Sequence, residues 1–390
     1  MFKIIGMTKL IWKLFKIVLT LLLAFLMYVV IGGVVPFLHH PDVSQTKKEA
    51  VESTQFYSDS AGPDRATIIE DNEEALKMRL RVIKDAKKTL ILSTFDFRSD
   101  DAGKDILAAL LNAADRGVKV EIFADGFNSI IQMENNDYFY ALSSNKNIKI
   151  IIYNQVNILI PWNGLGRMHD KYVIADDSLY ILGGRNTFGY FLGDYAGHKN
   201  YDRDVLVYNT GSKDSSIYQI KDYYKKITSQ KCCSVFHYNE SLGEKNSVKK
   251  AEQELKNRYE SLENKYDKFL AENYDYKANT YETNKINLLS NPTSLYAKQP
   301  TVYYGLMYLA KNAKKEVKIH TPYIICNDYM YNELKNIKVP TTIMTNSAEN
   351  NGNIFGAVDY LNHKKNIPFE IQAFTNVESL IAYGKMNHIE

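Results

Sequence analysis

The sequence predicts an α/β protein built as two similar halves, preceded by one membrane-spanning helix. Three observations carry that expectation. Residues 17–38 are twenty-two uncharged residues in a row, behind Lys3, Lys9, Lys13 and Lys16. From residue 64 onward helical and extended patterns alternate, which is how α/β layers read in a sequence. Finally, Lys84-Asp85-Ala86-Lys87-Lys88, which leads into an apolar strand, returns as Lys311-Asn312-Ala313-Lys314-Lys315 with another strand behind it. An internal repeat of that kind bears on the architecture before any motif does. The halves are expected to be related by a pseudo-two-fold axis, with a site at their junction.

In chain order, residues 1–38 form a basic cytoplasmic start and a transmembrane anchor. About 20 apolar residues suffice to cross the hydrocarbon. The run is longer than the ~7–15-residue core of a cleaved signal peptide, and no Ala-x-Ala site follows it. The four lysines hold the N-terminus in the cytoplasm. The rest of the chain is then expected on the outer side of the cell membrane, which it crosses once. Residues 39–62, with His39-His40-Pro41 and no periodic apolar positions, read as a linker. The first half spans 63–230. A helix at about 67–88 precedes Leu90-Ile91-Leu92, and a second at about 102–116 precedes a strand at 118–123. A third precedes 148–152; strands at 170–176, 179–184 and 204–208 follow, then a helix to about 229.

Residues 231–285 form a charged helical connection. Within 244–272, fourteen of twenty-nine residues are charged, while Val248, Leu255, Leu262 and Phe269 recur every seven. That is a helix with one apolar seam, expected to lie across the domain or to form a short coiled coil. Residues 286–390 form the second half: a strand ending at Thr321, a helix, a strand at 341–344, a helix and a strand at 369–371.

Composition narrows the function classes. A chain of 390 residues suits two middling domains. Its 45% apolar and 24% charged residues are ordinary for a protein with real cores. A net charge of +3 does not advertise a nucleic-acid partner. Cys232, Cys233 and Cys326 have no zinc-ligand spacing, so neither a metal nor a cofactor is expected.

The chemistry concentrates in Met168-His169-Asp170-Lys171, Asp176 and Gly183-Gly184-Arg185-Asn186. On a strand, His169 and Lys171 share one face and Asp176 takes the other. If Asp177-Ser178 is a two-residue hairpin loop, opposed positions sum to 355. His169 then faces Asn186 and Lys171 faces Gly184, with opposed Cβ atoms about 4.5–5.5 Å apart. An imidazole, an ammonium and a carboxamide on one face, with Gly183 and Gly184 leaving room for substrate, would seat a phosphate. A slip of one residue would break the set. The joint pattern H-x-K-x4-D-x6-G-G-x-N arises by chance in roughly one such chain in a hundred thousand.

These residues resemble the HKD motif of the phospholipase D superfamily. The stretch from Gly183 through Asp202-Arg203-Asp204-Val205-Leu206-Val207 is most similar to its cardiolipin synthase branch. The resemblance implies two phospholipase D-like α/β halves, each bringing one motif to a shared, metal-independent site. It implies His169 as nucleophile forming a phosphohistidine, and Lys171 and Asn186 as holders of the non-bridging oxygens. Asp176 completes the catalytic motif, supporting local structure from the opposite face. Asp202 and Asp204 are candidates to orient the imidazole. His388 stands near the second histidine's position and would act as general acid and base. There Glu390 replaces the lysine and the second motif is incomplete. Three readings stay open at that point: a truncated gene, two chains pairing their complete motifs as a homodimer, or lost activity. The implied reaction moves a phosphatidyl group between two phosphatidylglycerol molecules at the membrane. Rival readings are hydrolysis of a phospholipid (or, as a nuclease, of nucleic acid) and an inactive lipid-binding remnant.

Overall fold

The structure, a computed structural model, describes residues 2–237, 240–270, 274–350, 354–374 and 379. It resolves into two compact units. The first comprises Met1–Leu38, Gln55–Leu288 and Pro292–Ala297; the second comprises His39–Thr54, Leu289–Asn291 and the residues from Lys298 onward.

Helix α1 (Phe2–Val34) follows from the aliphatic run, which contains no breaker before Pro36 opens a 3-10 turn at Val35–Phe37. From Leu10 to Phe37 it is long and apolar enough to cross a membrane. The segment expected as a linker contains a helix, α2 (Gln45–Glu52), which belongs to the second unit and buries Val51.

In the first unit the chain runs through β1 (Asp64–Ile69), α3 (Asn72–Asp85), β2 (Thr89–Thr94), α4 (Asp101–Asp115) and β3 (Lys119–Asp125). The short α5 (Gly126–Asn128), α6 (Asp137–Ser144), β4 (Ile148–Tyr153), β5 (Tyr172–Ala175) and β6 (Leu179–Gly183) follow. Then come β7 (Asp204–Asn209), α7 (Ile217–Thr228), β8 (Cys233–Val235), α8 (Glu240–Gly243), α9 (Asn246–Lys265) and β9 (Tyr281–Glu282). The strands form one sheet in the order β8-β4-β3-β2-β5-β6-β7-β1-β9. Strands β2, β3 and β4 pair in parallel, and the other pairings are antiparallel.

Strand alternation sends side chains to two cores. Leu90, Leu92, Val120 and Ile122 face a layer made by α3, α4, α6 and α9. Ile91, Phe123, Ile151 and Tyr172 face Ile217, Ile220, Tyr224 and Ile227 of α7. Parallel strands covered on both faces need near-continuous apolar sequence, which is why Ile148-Lys149-Ile150-Ile151-Ile152 carries one charge. The heptad seam of α9 (Val248, Leu255, Leu262) packs into the first core with Tyr259. One expected boundary moves. The stretch at 67–69 belongs to β1, whose β-branched Thr67, Ile68 and Ile69 pair with β7. Helix α3 starts later, where the Asp71 carboxylate accepts the N–H groups of Glu73 and Glu74.

The second unit contains α2, α10 (Thr301–Lys311), β10 (Val317–His320), α11 (Asp328–Leu334), β11 (Thr341–Asn346), α12 (Ile354–His363) and β12 (Glu370–Phe374). Among the described residues its three strands pair in parallel, in the order β10-β11-β12. The succession α10-β10-α11-β11-α12-β12 has the same order as α3-β2-α4-β3-α6-β4 of the first unit, where the short α5 is interposed after β3.

Candidate active site

The hairpin that carries the motif differs from the expected one by a residue. Tyr172 pairs with Leu182 and Ala175 with Leu179, so opposed positions sum to 354 rather than 355. The turn is three residues, Asp176-Asp177-Ser178, with Asp176 in the left-handed region at φ 53°, a common alternative to the two-residue loop. The expected pairings of His169 with Asn186 and of Lys171 with Gly184 are therefore not cross-strand pairs. His169 and Lys171 precede β5, and Asn186 follows β6.

The end of β2 brings the residues together instead. The Asn186 carboxamide oxygen accepts the backbone N–H of Asp96 at 3.2 Å. The His169 imidazole meets the neighbouring Phe95 ring edge-on, with centroids 4.8 Å apart. The Lys171 ammonium lies 5.8 Å from the same ring centroid and donates to the His169 carbonyl at 2.8 Å. His169 is exposed, Asn186 is half-buried and Lys171 is only 5% exposed. Burial pushes the Lys171 ammonium down to about 8, against the pull of the Asp170 and Asp202 carboxylates. An accessible imidazole beside a desolvated cation is suited to attack on an anionic phosphorus centre, because the cation gains from an arriving negative charge.

The glycines make room for carboxylates of this same chain. A Cβ on Gly184 would stand 2.1 Å from Asp202 Oδ2, and one on Gly183 would stand 1.8 Å from Asp204 Oδ1. The space expected for substrate is thus taken by these two aspartates. Asp204 is fully buried between Arg79 (2.9 Å) and Arg185 (3.2 Å). Arg185 also donates to the Ile69 carbonyl and to Asn72. Asp204 therefore ties α3, β6 and β7 together and is not an orienting partner of the imidazole. Asp202 is half-buried and within electrostatic reach of Lys171; burial raises its carboxyl, an effect that the Arg203 N–H partly offsets. Asp176 sits at the far end of β5, seven residues and roughly 23 Å of extended chain from His169. Its carboxylate accepts the N–H groups of Lys87, Lys88 and Thr89, each at 2.8 Å. Its work is to close the α3–β2 turn. His388 and Glu390 lie outside the described residues.

Sequence reasoning missed two supports. Asp125, fully buried at the end of β3, accepts from the Met168 N–H at 2.9 Å and from Arg167 at 3.3 Å, which fixes the turn just before His169. Burial raises its carboxyl while Arg167 opposes the shift. Phe95 is the other. Its place directly after β2, which ends at Thr94, offers a weak signal, because the ends of parallel strands commonly face a site. Among the described residues, no group of three or more His, Cys, Asp or Glu is placed to hold a metal ion.

An α/β sheet with an exposed histidine, a buried lysine and an asparagine on one rim is the arrangement that the resemblance to the phospholipase D-like fold implies. Residues 80–227 match the family described as "Cardiolipin synthase, PLD-like domain". Over these residues the chain carries a phospholipase D-like domain, similar to that of the cardiolipin-synthase-like branch. It is 31% identical to cardiolipin synthase B of Salmonella typhi over 142 residues, 36% of this chain and 34% of that one. An uncharacterized protein of Helicobacter pylori is 27% identical over 309 residues, 72% of this chain and 59% of that one. The chain thus spans 34% and 59% of the lengths of these two relatives. Phosphatidylserine synthase of Haemophilus influenzae superposes with a TM-score of 0.50, covering 82% of this chain and 72% of that one, at 14% identity. That likeness speaks for the fold alone.

Proposed function

We propose that this chain is a membrane-anchored phosphatidyltransferase of cardiolipin synthase type. The carrying observation is the exposed His169 imidazole set against the buried Lys171 ammonium. His169 attacks the phosphorus of one phosphatidylglycerol, forming a P–N bond, and glycerol leaves with a proton. The terminal hydroxyl of a second phosphatidylglycerol then attacks the phosphohistidine and gives up its proton. Cardiolipin is released and the imidazole is restored. Lys171 and Asn186 hold the non-bridging oxygens, where negative charge grows in the transition state.

A second acid–base group must serve the leaving and entering alcohols. In this reading a second copy of the chain supplies it, presenting its own His169. Helix α1 confines the reaction to the lipid surface, and Lys3, Lys9, Lys13 and Lys16 keep the N-terminus cytoplasmic. The family match supports phosphodiester chemistry on lipid, and the cardiolipin synthase B relatives support this choice of substrate. The test is the full chain in detergent micelles containing phosphatidylglycerol. Cardiolipin and glycerol should form, and the His169→Ala chain should form neither. Phosphatidic acid as sole product would make the protein a hydrolase. No turnover by either chain would overturn the enzymatic reading.

A further inference from the structure

The connection between β4 and β5 combines features that the catalytic reading does not use. From Asn154 to Gly166 it contains no charged residue. Ile158 (56%), Leu159 (65%), Trp162 (42%) and Leu165 (56%) are exposed along it. Exposed apolar side chains gathered on an uncharged loop are the kind of surface that marks an interaction site. The β3–α6 connection adds exposed Phe127, Ile130 and Ile131. The two connections adjoin, since a Cβ on Gly126 would stand 2.3 Å from the Asn154 carbonyl oxygen. Both leave the sheet at the end where His169 stands.

The loop is also seated on the apolar helix. The Tyr28 hydroxyl donates to the Leu159 carbonyl at 2.8 Å. A Cβ on Gly32 would meet Pro161 Cγ at 2.6 Å, so only glycine admits this approach. Val29, Gly32 and Gly33 of α1, with Pro36 and Phe37 of the 3-10 turn behind it, form a half-covered stripe, while the other side chains from Leu10 to Leu38 are exposed. Tyr28 lies nine residues before the end of the apolar stretch at Phe37. At ~1.5 Å per residue, in a hydrocarbon layer ~30 Å thick, the Tyr28–Leu159 bond falls on the order of 10 Å inside the apolar layer. That is about the depth to which interfacial amphipathic segments insert. The loop meets much of its own polar demand, as insertion requires. Ile160, Asn163, Gly164 and Gly166 donate to carbonyls within it, and Leu159 donates to the Asn157 side chain.

We infer that Val156–Leu165, with Phe127, Ile130 and Ile131, is a lipid-docking surface that inserts beside α1 into the headgroup–acyl boundary. It holds the His169 rim at the level of the phosphate layer. This rests on reading α1 as a membrane anchor and deepens the proposed function by naming the surface through which lipid reaches the site.

The chain has two tryptophans, Trp12 in α1 and Trp162 in the loop, which allows a direct test. Full-length Trp12→Phe and Trp162→Phe chains each retain one reporter. Each is reconstituted into phosphatidylcholine–phosphatidylglycerol vesicles with plain or acyl-brominated phosphatidylcholine. Bromine should remove about half or more of the Trp162 emission, as expected of an interfacial tryptophan. Adding Leu159→Asp should restore most of that emission and leave Trp12 quenching unchanged. Quenching of Trp12 without Trp162 would overturn the docking surface and leave the anchor standing; it would point to water or a protein partner over the loop. Quenching of neither would overturn anchor and surface together.

Discussion

Replacing Lys171 with Met tests the electrostatics of the site without reference to product. Holding this ammonium at about 8 rather than its ordinary 10.5 costs the anion-free protein about 3 kcal/mol at neutral pH. The sign follows from proton binding. Between pH 8 and 10.5 the native state binds fewer protons at Lys171 than the unfolded chain does. Wild-type stability therefore rises across that window and is penalised below it, whereas Lys171→Met has no such dependence. Losing the bond from Lys171 to the His169 carbonyl shifts the variant by a further amount, about 1 kcal/mol, that does not depend on pH. The difference between the two proteins isolates this group from every other titrating residue. Unfolding of both full chains in detergent is followed at pH 7.5 and pH 10.5. The wild type should gain about 3 kcal/mol on the variant between those values, or several degrees in Tm for units of this size. Inorganic phosphate at pH 7.5 should stabilise the wild type more than the variant. Parallel stability curves, with no differential effect of phosphate, would refute the idea of a desolvated cation awaiting an anion.

Three further outcomes are expected. Asp176→Ala removes the acceptor of three backbone N–H groups and should lower stability by about 2 kcal/mol, after allowing for solvent at that turn. Product formed per folded molecule should stay at the wild-type level. Asp204→Ala leaves Arg79 and Arg185 buried without their carboxylate and should cost about 3–5 kcal/mol, measured by unfolding. If two copies share one site, equal amounts of wild type and His169→Ala, allowed to exchange, should retain about a quarter of the activity. Retention of half would show that each copy works alone.

Much of this arrangement can be read from the sequence, for physical reasons. Strands β2, β3 and β4 stand out because parallel strands covered on both faces need continuous apolar runs. The seam of α9 shows because a single buried stripe imposes a period. The residue types and spacing of the motif single out His169, Lys171 and Asn186. Their geometry was less legible, because it turns on whether the hairpin loop holds two residues or three. That choice is made by Asp176 adopting a left-handed conformation while its carboxylate closes a turn nearly ninety residues earlier in the chain. The roles of Asp202 and Asp204 could not be separated either. What distinguishes them is Arg79, 125 residues away, which meets Asp204 in the core. Strand β1 was hidden for a related reason: a short β-branched segment beside a helix start is decided by its partner strand, β7. Asp125 gave no local signal, since its effect on His169 runs through the Met168 backbone.

The most direct measurement asks whether phosphorus becomes bonded to His169. The full chain is incubated in micelles with phosphatidylglycerol labelled at phosphorus and quenched in alkaline detergent, which phosphohistidine survives. Label should remain on the protein, be released by acid, map to the peptide containing His169, and be absent from the His169→Ala chain. Continued turnover with no labelled protein, or with labelling indifferent to His169→Ala, would contradict the account.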